Sequence, residues 1–328
     1  MDKEDSASSS RLTISALQRE TGLAKDTLRV WERRYGFPMP RRDAAGEREY
    51  GAADLDKLRA IKRLLDAGHR PGRLMALSVE ELRELSQRSA DMARAGPAGA
   101  AAPRLAEMLE LLRRDDLVGL RGELRQAQVR LGLSAFVVEV VAPFNTLVGD
   151  AWMRGQLEIY QEHGYTEAVQ RVLRSGIQSL PEAAAGHSPR MVFSTLPGEP
   201  HGIGLLMVEA LCAAEGANCC PLGVQTPVGD LLRAAEANRA DVLALSFTAC
   251  LSSKQVHGAL ADLRLKLPAD VELWVGGSSP ALRRHSLPGV TAMQLLGDVP
   301  PALQRWRAQH AAHVQAPRPP GSHPHPAK

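Results

Sequence analysis

Glu199-Pro-His201-Gly-Ile-Gly204 follows closely on the apolar run Met191-Val-Phe-Ser-Thr195. An apolar strand that ends in a loop, with one histidine between a carboxylate and two glycines, has the form of a ligand-binding turn at a strand's carboxyl end. Gly202 and Gly204 let the backbone come close to a bulky group. Glu199 can hydrogen-bond the imidazole, fixing its tautomer and raising its basicity. Two further small-residue clusters fall where later strands of the same sheet should end: Ser246-x-Thr248 and Gly276-Gly277. Working outward, short apolar runs at 191–195, 217–222, 242–247, 271–275 and 292–296 alternate with amphipathic segments. That alternation predicts five buried strands joined by right-handed crossovers, a doubly wound α/β sheet.

Towards the amino terminus the period changes. Residues 104–185 read as amphipathic helices, with apolar positions recurring three and four apart through LAEMLELL and AFVVEVVAPFNTLVGDAW. Their combined length suits a four-helix bundle. A stretch rich in Ala, Gly and Pro makes 89–103 the best linker. Residues 1–10 and the proline-rich 313–328 read as disordered tails, and His323 and His325 in the latter as solvated.

With 328 residues the chain suits two or three domains. From Arg11 to Arg73 it carries 15 Lys/Arg against 9 Asp/Glu, a net of +6, which leaves −3 for the rest of a chain whose total is +3. A basic amino-terminal part on a slightly acidic body points to nucleic acid as a partner. The four cysteines, Cys212, Cys219, Cys220 and Cys250, form no CxxC pair and read as buried thiols of a cytoplasmic protein. The polar MDKEDSASSS start is no secretory signal, and no run is seen to approach the roughly 20 apolar residues of a membrane span, so no membrane partner is expected.

Within residues 11–88, Thr13–Gly22 reads as a short helix with Thr13 as N-cap and glycine as its stop, and Ala24–Tyr35 as a second. Leu28 and Trp31 turn inward; Lys25, Thr27, Arg29 and Arg33 turn outward, as in a helix-turn-helix whose second helix enters the major groove. Asp43–Gly46 can then turn a β-wing bearing Arg41, Arg42 and Arg48, whose guanidinium groups suit phosphates. Leu28-Arg-Val-Trp-Glu-Arg-Arg-Tyr-Gly-Phe-Pro, then Arg41, then Gly46-x-Arg48-x-Tyr50 ahead of a Leu-rich helix, resembles the MerR family of winged-helix regulators. The resemblance implies dimers on two-fold operators in double-stranded DNA, and adds Tyr35 and Tyr50 to the DNA-contacting set.

In 189–312 the Glu-x-His-x-x-Gly element is similar to the corrinoid-binding signature, in which aspartate usually stands at position 199. Forty-one residues separate Gly204 from Ser246 and 27 separate Thr248 from Gly276, gaps that fit the same family. The resemblance implies that His201 is a cobalt axial ligand and that Gly202, Gly204, Ser246, Thr248, Gly276 and Gly277 surround the nucleotide tail of a cobalamin in a Rossmann-like domain. Thr248 stands where leucine is common. Upstream, Trp152 followed by Glu162-His163 resembles the cap of cobalamin-dependent photoreceptor regulators of the CarH/LitR type. There the tryptophan covers the upper corrin face, and the Glu and His lie near the upper ligand. On one continuous helix, Glu162 and His163 return to within about 80° and 20° of Trp152, an arrangement that Gly155 can interrupt.

The combined resemblance implies a repressor that senses adenosylcobalamin, or another cobalamin form, and light. Its cofactor-bound dark form self-associates as a dimer or tetramer and holds DNA. One departure is Met153, where light-sensing members have a histidine able to take the upper cobalt position. A thioether is the poorer partner for oxidised cobalt. That favours a light-independent cobalamin-responsive regulator as an alternative. A corrinoid methyl carrier, an enzyme part, uses the same bundle and sheet, but the MerR-like head argues against it.

Overall fold

The computed structural model describes residues 11–43, 46–66, 69, 71–93, 102–181, 189–248, 250–284 and 287–314. The tails expected at 1–10 and beyond 314, the core of the linker, and two residues of the Asp43–Gly46 turn lie outside them. The chain forms two compact units. One contains the residues up to Leu120 with Pro143–Ala168 and Thr248–Cys250; the other contains Arg121–Ala142, Val169–Phe247 and the residues from Leu251 onward.

The first unit opens with β1 (Leu12–Thr13), α1 (Ile14–Thr21) and α2 (Lys25–Tyr35). The Thr13 hydroxyl accepts from Ala16 N and Gly22 ends α1 in left-handed backbone, as the sequence predicts, while α2 is ended by a left-handed Gly36 ahead of the prolines. β2 (Arg41–Arg42) and β3 (Arg48–Tyr50) complete a three-stranded antiparallel sheet in the order β1-β3-β2. α3 (Ala52–Asp66), α4 (Pro71–Leu74) and α5 (Val79–Ala93) close over it. Leu17, Leu28, Trp31, Leu58, Ile61 and Leu64 make the shared core. α5 runs to Ala93, further than a linker starting at 89 allows, because no glycine or proline interrupts it before Gly96.

Next come α6 (Ala102–Arg113), α7 (Leu117–Leu131) and α8 (Leu133–Phe136), then a π-turn over Val137–Val141, α9 (Ala142–Met153) and α10 (Ile159–Gln178). In the first unit, Tyr165 of α10 meets Phe144 of α9 edge to face at 5.3 Å and donates to Asn145 Oδ1. Gln161 Nε2 donates to the carbonyls of Leu112 and Arg113, satisfying the end of α6. The helix does not continue from Trp152 to His163. It stops at Met153, Gly155 takes φ +70°, and α10 starts afresh at Ile159. The angular relation expected on one helix therefore does not apply, since the break resets the phase. The helical run Leu133–Met153 is long and apolar enough to cross a membrane by length and composition, which corrects the expectation that no such run exists. Here Phe136, Val137, Val141, Phe144 and Val148 are core residues, and the run also carries a buried Asp150.

The second unit holds the sheet: β4 (Arg190–Ser194), α11 (Ile203–Ala214), β5 (Asn218–Gly223), α12 (Val228–Ala237), β6 (Val242–Ser246), α13 (Ser253–Lys266), β7 (Glu272–Gly276), α14 (Ala281–Arg284), β8 (Val290–Met293) and α15 (Val299–Val314). All pairings are parallel, in the order β5-β4-β6-β7-β8. Apolar side chains of α12 and α13 pack with Val192, Leu243, Leu245, Leu273 and Val275 in one core. Two expectations are corrected. β5 is an edge strand, half-buried to exposed rather than buried. The last strand is 290–293 rather than 292–296: Leu295 is exposed and opens a 3-10 turn in which the Asp298 carboxylate accepts from Gln294 N and Leu295 N. α15 reaches Val314, past the expected start of the tail at 313.

Candidate functional site

β4 stops at Ser194, and the loop behind it is held by short polar side chains rather than by regular structure. Thr195 Oγ1 donates to Glu199 O at 2.6 Å and accepts from Gln225 N at 2.8 Å. Ser194 Oγ donates to Thr226 Oγ1 at 2.8 Å, and Gly198 N donates to Gln225 Oε1 at 3.2 Å. These bonds tie the loop after β4 to the loop after β5. Glu199 is wholly buried, whereas the His201 side chain is 47% exposed. One oxygen, Glu199 Oε1, lies 2.8 Å from His201 Nδ1 and accepts from His201 N at 3.2 Å. With the carboxylate accepting, the ring hydrogen sits on Nδ1 and the lone pair on Nε2, the tautomer a metal needs.

Beside this loop is a crevice at the carboxyl ends of β6 and β7, a cavity of about 170 Å³. Gly204, Ser246, Trp274, Gly276, Gly277 and Met293 are among its lining residues, most of the rest being aliphatic. Glycines here and in the adjoining loop leave little or no room for a side chain. A Cβ on Gly204 would lie 3.2 Å from Ser246 Oγ, and one on Gly202 3.1 Å from Val224 Cγ1. Gly277 has φ +113°, and a Cβ there would fall 2.1 Å from the Phe247 carbonyl oxygen. No side chain fits that position. A narrow, mainly apolar slot beside an oriented imidazole suits a slender arm of a ligand rather than the whole of a bulky one. The larger cavity of about 390 Å³, near the start of β7 and bounded by Arg264, Glu272 and Trp306, shares Trp274 with the crevice but none of the candidate binding residues.

Thr248 lies just beyond the crevice strand β6, in the 248–250 segment of the first unit, where its Oγ1 accepts from Cys250 N at 3.4 Å. The first unit also holds the other aromatic and acidic candidates. Trp152 is half-buried near the end of α9, beside the Met153 that closes the helix. Glu162 Oε2 lies 2.8 Å from His163 Nδ1, and Glu162 Oε1 accepts from Thr166 at 2.8 Å. His163 is exposed.

On the head, Arg29, Arg33, Arg41 and Arg42 are exposed, and Lys25, Thr27 and Tyr35 are half-buried. Arg48 pairs with Glu32 at 3.1 Å. Tyr50 is 1% exposed and belongs to the core, so the structure corrects its placement among surface contacts: strand β3 alternates, and its third residue points inward. Sequence reasoning missed Thr195, Gln225 and Thr226, which fix the histidine loop, and Trp274 and Met293, which wall the crevice. The only hint was the run of hydroxyl and amide residues just after two strands.

This combination defines a DNA-binding regulator joined to a B12-binding part, and comparison with known proteins agrees. Residues 12–76 match the MerR HTH family regulatory protein family, and residues 102–175 and 189–300 match two B12 binding domain families. The chain is 31% identical to the HTH-type transcriptional repressor CarH of Myxococcus xanthus over 285 residues, covering 84% of this chain and 90% of that protein. It is 29% identical to the HTH-type transcriptional repressor CarA of the same organism, covering 81% of this chain and 86% of that one. The head alone is 42% identical to the HTH-type transcriptional regulator MlrA of Escherichia coli (strain K12), over 17% of this chain and 23% of MlrA. The chain belongs to the MerR family of transcriptional regulators, in the group that carries B12-binding domains. These relatives are regulators, not enzymes.

Proposed function

We propose that the chain is a cytoplasmic repressor whose hold on operator DNA is set by bound adenosylcobalamin and by light. The observation that carries this reading is the buried Glu199 carboxylate 2.8 Å from His201 Nδ1, beside a glycine-walled crevice, in a chain that also bears a MerR-type head. In this reading His201 Nε2 is the cobalt ligand, and Gly202, Gly204, Ser246, Thr248, Gly276 and Gly277 receive the nucleotide tail. Trp152, Glu162 and His163 belong to a four-helix cap that would help to hold the corrinoid. Bound adenosylcobalamin supplies a light-sensitive bond from cobalt to carbon.

The protein's own residues do the rest. Lys25, Thr27, Arg29, Arg33 and Tyr35 present α2 to the major groove, and Arg41 and Arg42 make a phosphate-straddling wing. Arg48 braces that wing through Glu32. One such head binds weakly, so self-association as a dimer or tetramer multiplies occupancy through effective concentration. The second reading, cobalamin response without light, is favoured by Met153, whose thioether is a poor replacement ligand for oxidised cobalt.

Size-exclusion chromatography with absorbance detection, on protein reconstituted with adenosylcobalamin, tests both. A dark oligomer that keeps the corrinoid and dissociates after green light supports the first reading. Retained corrinoid without a change in size supports the second, and no retained corrinoid refutes both.

A further inference from the structure

We propose that Arg63 is a latch between the DNA-binding head and the tryptophan of the cap. It holds α3 to the turn that carries Trp152, and it lets go when that ring is drawn onto a corrinoid. The release step rests on the reading of Trp152 given above; the closed contact does not.

Arg63 and Trp152 are far apart in sequence but meet in the first unit, with the guanidinium carbon 5.9 Å from the centre of the Trp152 ring. The turn that ends α9 makes room for it. Gly155 adopts φ +70°, and a Cβ there would come within 2.8 Å of Arg63 Nη1. The guanidinium thus lies against bare backbone where any other residue would push it away. Its base is rigid, because Leu58, Ile61 and Leu64 of the same helix are fully buried in the head core. The arginine therefore reports where the whole head sits.

Its electrostatic setting is divided. Burial lowers the Arg63 pKa from its usual value, and Arg59 and Arg83 lower it further, while Glu158 and Asp56 pull the other way. Glu158 directly precedes α10, so the cap supplies both the ring and the stronger of the two opposing charges. Cation–π contacts of this kind are modest in strength. A flat guanidinium and a flat macrocycle both seek the same indole. Binding is reciprocal: if the corrinoid loosens the head, loosening the head must tighten the corrinoid by the same factor.

The test uses the full chain, first without cofactor. Hydrogen exchange is followed in wild type, Arg63→Ala and Arg63→Lys, the lysine variant keeping charge and stem but not the planar fork. The latch predicts exchange at Gly155–Glu158 faster by about 5-fold in Arg63→Ala and by less in Arg63→Lys, with the helices of the head core unchanged. Adenosylcobalamin titrated in the dark should then bind Arg63→Ala about 5-fold more tightly than wild type. Unchanged exchange at Gly155–Glu158 in both variants overturns the latch. Equal or weaker cofactor affinity in Arg63→Ala overturns the release step. No uptake by any form, together with faster exchange in the variants, refutes the corrinoid reading and the release with it, yet leaves the closed contact standing.

Discussion

Two Glu–His pairs in this chain share one bond length and little else. In the loop after β4, Glu199 faces His201 Nδ1 at 2.8 Å; at the start of α10, Glu162 faces His163 Nδ1 at 2.8 Å as well. The first carboxylate is wholly buried and fastened to a loop that Thr195 and Gln225 pin down, while the second is a third exposed on a helix surface, next to an imidazole that is 71% exposed. A hydrogen bond shielded from water and fixed at both ends holds its imidazole in one tautomer and one direction. The same bond in solvent competes with water and is worth little. Distance alone does not tell an aimed imidazole from a loosely held one; burial of the partner does.

The largest expected effect tests that contrast directly. His201→Ala should weaken cobalamin binding on the order of 100-fold, whereas His163→Ala should change it by no more than about 3-fold, both read by absorbance titration in the dark. Equal losses would break the comparison. A smaller effect comes from the carboxylates. Glu199→Gln should cost about 10-fold in affinity, since an amide presents a weaker acceptor to Nδ1–H, and Glu162→Gln should be close to silent.

The smallest effect comes from a buried carboxylate with no imidazole at all. Burial raises the pKa of Glu209 on α11, opposed by the charge of Arg174. A carboxyl group whose pKa is higher in the folded state stabilises the fold below its unfolded pKa, and loses that contribution as pH rises through the folded value. Glu209→Gln should therefore raise the melting temperature at pH 7 and leave it nearly unchanged at pH 4. A variant that melts lower at pH 7 would mean that Arg174 outweighs burial. The comparison would then sharpen to say that a buried carboxylate in this unit is tolerated only with a cationic or N–H partner.

Much of the sheet was legible because its signals are local. The apolar runs that became β4, β6 and β7 are bounded by small residues, and the Thr13 cap and the Gly22 stop mark α1 to the residue. β8 was misplaced because Met293, Gln294, Leu295 and Leu296 look like a strand end, while the fold uses Pro288-Gly289 to start the strand earlier and Asp298 to turn it out. Tyr50 was misread because family position outranked the alternation of a three-residue strand. The break at Gly155 was foreseen as possible, but the partner that fills it, Arg63, could not be, since sequence periodicity is blind to contacts between distant segments. The crevice was legible only at its glycines; Trp274 and Met293 enter through sheet register.

Glu199 also separates two moments that many binding sites combine. Its carboxylate is sealed and its histidine aimed when the chain folds, so the conformational entropy of orienting that side chain is lost then, not when a ligand arrives. A ligand reaching the crevice meets an imidazole already committed to one direction and spends little of its binding free energy on ordering the protein there.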